Sequence, residues 1–84
     1  MEIHFAPAGV TPEEPERISK KPAKRRVQIE RAKGLFKSGQ TYSETQVNIL
    51  LMQLFQDHVF ARRALVEEAF LERTKDGSTY WVKP

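Results

Sequence analysis

Two arginines stand side by side in "ARRALVEEAFLER", the stretch from Ala61 to Arg73. A guanidinium is planar, permanently charged and carries five donors in a fixed fork, which suits it to the edge of guanine and to phosphate oxygens. Near the start of a helix, Arg62 and Arg63 have the type and spacing to read or clamp a nucleic acid. The same residues also suit a structural role. Arg63 lies four positions before Glu67, and Arg62 is within reach of Asp57 or of a carboxylate on a neighbouring helix. Such helical pairs are common and contribute only tenths of a kcal/mol. Glu67 and Glu68, further along, would face a polyanion poorly. Arg73 and Lys75 offer two more cations at a hairpin tip, set against Asp76 between them and the turn.

The densest charge lies elsewhere. "RISKKPAKRR", Arg17 to Arg26, holds six basic residues and no acid. Residues 1–42 carry nine Lys/Arg against five Asp/Glu, and residues 43–84 carry five against six, so the halves stand at +4 and −1. Lys20, Lys21, Lys24, Arg25 and Arg26 are therefore what an approaching polyanion feels first. A cluster of this kind gives sequence-independent affinity with a steep salt dependence, or serves as a solubilising tail.

Catalytic chemistry finds no support. The chain has no cysteine, Ser43 already suits a helix cap, and no nucleophile stands near a candidate base. His4 and His58 have no partners at metal-ligand spacing, so neither metal nor cofactor is expected. Tyr80 and Trp81 could stack on unpaired bases, but a small domain needs its aromatic area for the core.

These side chains need a scaffold, and 84 residues supply one domain at most. Its thin core must come from the large apolar residues after position 34. Residues 1–21, with Pro7, Pro12 and Pro15, form a flexible, basic and proline-rich arm, in which "IHF" at 3–5 is a candidate edge strand. A domain over 22–84 follows. Pro22 suits a first helical turn, Ser19 is a loose cap, and the helix runs to a left-handed exit at Ser38-Gly39. Thr41 and Tyr42 make a very short strand. Ser43 with Gln46 forms a capping box. Behind it Val47, Leu50, Leu51, Leu54 and Phe55 keep helical spacing. Asp57 caps a third helix reaching Ala69, with Ala61, Leu65, Val66 and Ala69 inward. Phe70 and Leu71 then enter a hairpin turned by Asp76-Gly77 and closed by "TYWV".

Helix, short strand, helix, helix and two-stranded hairpin is the order of a winged helix-turn-helix, an α+β fold of three helices in which the short strand joins the hairpin. Ile49, Met52 and Phe60 fall outside the inward stripe and are candidates for a protein-interaction or dimer surface. "YSETQVN", "DHVFARRALVEEAFLER" and "DGSTYWV", in that order, resemble the bacterial domain of unknown function 2087 over about residues 22–82. The resemblance implies a winged-helix-like domain, found alone or attached to transcriptional regulators, with no established activity. Val82 stands where that family often has a cation after Tyr-Trp, which removes one charge from the wing. The expectation is a cytoplasmic, non-enzymatic DNA-binding protein. The alternative is an interaction or homodimerisation module on the same frame. No segment approaches the ~20 apolar residues that span a bilayer.

Overall fold

The computed structural model describes residues 14–84. Residues 1–13 of the arm expected over 1–21, with the strand candidate at 3–5, lie outside the described residues. Helix α1 spans Pro22–Lys33, with proline in its first turn and Arg31 and Lys33 in its last, where cations complement the helix dipole. It ends at Gly34, five residues before the expected exit. Gly34 is right-handed (φ −67°), and two tight turns follow in which Leu35 and Phe36 donate to the carbonyls of Ala32 and Lys33. Those turns swing Phe36 into the core, edge-on to Tyr42 and Phe70. The left-handed glycine, Gly39 (φ 84°), belongs to the loop before the next strand.

Strand β1, Thr41–Ser43, runs directly into α2, Glu44–Met52. The expected capping box is present. The Ser43 hydroxyl accepts from the Gln46 N–H at 3.0 Å, and the Gln46 side chain accepts from the Ser43 N–H at 2.8 Å. Leu54 and Phe55 lie in the turn beyond α2, yet both are buried. Helix α3, His58–Glu67, stops before Ala69. The Phe70 N–H reaches back to Leu65 and the Ala69 N–H to Val66, a Schellman closure. It needs a left-handed residue, and Ala69 takes that conformation at φ 63°.

Strands β2, Leu71–Arg73, and β3, Thr79–Val82, form the hairpin, which the short strand joins as expected; the antiparallel sheet has the order β1-β3-β2. Tyr80 stands opposite Tyr42 on one side and Arg73 on the other. Alternation sends Tyr80 to the core and Trp81 to the outer face. Trp81 is half-buried there, its indole N–H donating to Glu72 at 3.0 Å, so only Tyr80 fills the core role considered for both. Ile29, Val47, Leu51, Leu54, Leu65 and Leu71 are the largest fully buried side chains, so the core joins all three helices to the sheet. This is the architecture of a small winged helix.

The lower boundary differs from the expected one. Residues 16–19 are bonded to the domain as a strap. Glu16 forms a parallel bridge with Phe55, donating to the Leu54 carbonyl and accepting from the Gln56 N–H. The Ile18 N–H meets both carboxylate oxygens of Asp57 at 3.3 Å, and Ile18 packs on the core. Asp57 thus holds the N-cap position of α3 without a side-chain cap bond. Gln28, buried on α1, takes the Ser19 N–H on its oxygen and donates to Glu16 and to the Arg17 carbonyl. A buried amide must be paired, and here strap and glutamine satisfy each other. Ser19 caps nothing on α1; its hydroxyl accepts from the Lys21 N–H. Among the described residues no helix is long and apolar enough to cross a membrane.

Candidate nucleic-acid interface

Helix α3 buries Ala61, Ala64 and Leu65. Its opposite side exposes Val59, Phe60, Arg63 and Glu67. The two arginines separate sharply. Arg62 points toward α2, donates to the Asn48 side chain and lies 3.6 Å from the Glu44 carboxylate. Its side chain is only 15% exposed. Arg62 therefore ties the start of α2 to α3, the structural role raised for it, through Glu44 and not Asp57. Arg63 is exposed and makes no ion pair or hydrogen bond among the described residues, Glu67 included. One arginine of the pair is left free to face a ligand.

The basic cluster is carried by the strap and the first turns of α1. Lys20, Lys21, Lys24 and Arg26 are exposed. Arg25 instead lies over the Phe60 ring, its guanidinium carbon 5.1 Å from the centroid. That cation–π contact brings the start of α1 against the start of α3. Further along, Arg31 is partnered by Glu16 at 3.7 Å, and Lys33 by Glu30 at 2.8 Å. Free positive charge is concentrated at the N-terminal end of α1, beside Phe60.

On the other flank, a cleft of about 380 Å³ separates α3 from the hairpin. Arg62, Arg63 and Glu67 line one wall, Arg73 and Asp76 the other, and Glu44 lies between. Among the described residues Arg73 makes only long contacts to the Thr74 and Lys75 carbonyls, at 3.4 and 3.5 Å. Lys75 is exposed at the tip. Asp76 is turned into its own loop: the Thr74 hydroxyl and the Ser78 N–H and hydroxyl donate to it. Those bonds hold its carboxyl down at about 2.

The apolar candidates are on the surface as expected. Ile49 is 56% and Met52 50% exposed on the outer side of α2, whereas Phe60 is partly covered by Arg25. No group of three or more potential metal ligands occurs among the described residues. Gln28 was missed by the sequence reading, although its position beside Ile29 and four before Ala32 puts it on the inner arc of α1. A family model described as an uncharacterized protein conserved in bacteria, domain of unknown function 2087, matches residues 16–82. Its lower limit falls at the start of the strap. No curated protein and no solved structure matches the chain.

Proposed function

The chain belongs to this uncharacterised bacterial family, and we propose that it binds duplex DNA, in a regulatory setting, through the outward side of α3 and the basic start of α1. The observation that carries the reading is the Arg25–Phe60 contact, which joins the free cations of Lys20, Lys21, Lys24 and Arg26 to the helix that carries Arg63. A winged helix lays this third helix in the major groove, and flanking cations then fall on the phosphates. Arg63 is the base or phosphate contact on the helix. Arg62 supports it from below, and Arg73 and Lys75 reach the backbone from the wing.

A salt titration of duplex binding tests this. Affinity should fall steeply with salt. Replacing Lys20, Lys21, Lys24 and Arg26 together by alanine should lower the slope of log affinity against log salt by about 3–4. Arg63→Ala should weaken binding by tenfold or more without changing stability. Arg62→Ala should destabilise the fold, because it unpairs Glu44 and Asn48. Absence of binding to any duplex at low salt would sink the proposal. The exposed Ile49 and Met52 favour a second reading, self-association through α2. Sedimentation of the wild type beside Ile49→Glu decides it, and a monomer at every concentration removes it.

A further inference from the structure

Tyr80 is 3% exposed, yet its hydroxyl has no hydrogen-bond partner among the described residues. A buried phenol normally finds one. The hydroxyl opens on the cleft between α3 and the hairpin, beside Gly77. A Cβ on Gly77 would stand 3.9 Å from it, 3.4 Å from the Arg73 guanidinium and 3.9 Å from a Glu44 oxygen. Gly77 itself is left-handed (φ 74°) and adds no side chain to fill the space.

We propose that this cleft is an oxyanion site for one phosphate group, with Arg63, Arg73 and the Tyr80 hydroxyl as its donors. The groups left without partners, and not the charge count, decide the sign of the ligand. Three arginines and three carboxylates line the cleft, but they are not equally available. Arg62 and Glu44 are paired with each other, and Asp76 is saturated by its own turn. Two guanidinium groups and a hydroxyl remain as donors, against the charges of Glu67 and Asp76. A cation there would meet two uncommitted arginines. A phosphate oxygen would meet two charged forks and a donor that has no acceptor among the described residues. Glu67 and the nearby Asp76 charge keep the affinity modest and dependent on salt. The proposal deepens the DNA-binding reading by placing one backbone phosphate, but its first test contains no DNA.

Inorganic phosphate is titrated into the protein at constant ionic strength, against chloride, while the signals of Gly77, Arg63, Arg73 and the Tyr80 ring are followed by NMR. Saturable shifts at these residues, about tenfold weaker in Tyr80→Phe, are expected, since that variant removes only the hydroxyl. Arg73→Gln carries the same test should the phenylalanine variant lose structure. Shifts confined to Lys20–Arg26, or equal affinity in wild type and both variants, overturn the site. A second arm measures duplex binding at fixed salt. A tenfold loss in Tyr80→Phe identifies the phosphate as part of the duplex. Full duplex binding by this variant overturns that identification and leaves DNA binding standing. A phosphate response without duplex binding does the reverse.

Discussion

Asp76 at the hairpin tip accepts from the Thr74 hydroxyl at 2.6 Å, the Ser78 hydroxyl at 2.8 Å and the Ser78 N–H at 3.0 Å. Each bond favours the charged carboxylate, the Thr74 bond most, and together they lower its pKa from 3.8 to about 2. A depressed carboxylate stabilises the folded turn fully above pH 3.8, and that contribution fades as pH falls through about 2. An NMR titration of the Asp76 carboxyl should therefore give a midpoint near 2, and Thr74→Val should move it upward. At neutral pH the wing tip keeps its negative charge, so Lys75 never acts alone. The arginine pair teaches a related lesson. Adjacent residues on a helix point about 100° apart, so one guanidinium turned to Glu44 and Asn48 while the other stayed in solvent. The sequence offered both roles for both residues, and only the orientation of α2 against α3 assigns them.

The elements themselves were largely legible. Ser43 and Gln46 marked the start of α2, and the residues of "TYWV" returned on Asp76-Gly77 as the hairpin required. Helix ends were less so, because each depended on which turn the chain takes next. Gly39 looked the better stop for α1, but Phe36 had to reach the core, and the helix broke at Gly34 to let it. At the end of α3 no glycine or asparagine stands at the left-handed position, so Ala69 gave no signal there. An alanine at φ 63° costs roughly 1–2 kcal/mol relative to a right-handed one, part of which glycine returns as chain entropy. Ala69→Gly should thus raise stability by about 0.5–1 kcal/mol, seen as a higher midpoint in thermal unfolding.

At the scale of the molecule, the strap is what the sequence concealed. Its bonds use mostly the strap's own backbone groups, and prolines around it read as a tail. Its one side-chain clue was Gln28, a polar residue on the inner arc of a helix. Gln28→Ala should leave the Ser19 N–H and the Arg17 carbonyl without their partner, costing about 1–3 kcal/mol. Hydrogen exchange at Ile18 and Ser19 should accelerate, whereas the amides of α3 should change little. Unchanged exchange at Ser19 would mean that the Glu16 bridge and the Asp57 contact to Ile18 retain the strap without Gln28. The sheet order has a consequence for how the chain is made. The strand in the middle, β3, leaves the ribosome after both of its neighbours. Until Thr79–Val82 emerge, β1 and β2 have no ladder to join, and Tyr80 is missing from the core. Folding during synthesis must then wait for the last strand. A nascent chain halted before Thr79 would present the apolar sides of all three helices to chaperones and proteases, having lost the whole sheet and not merely an edge.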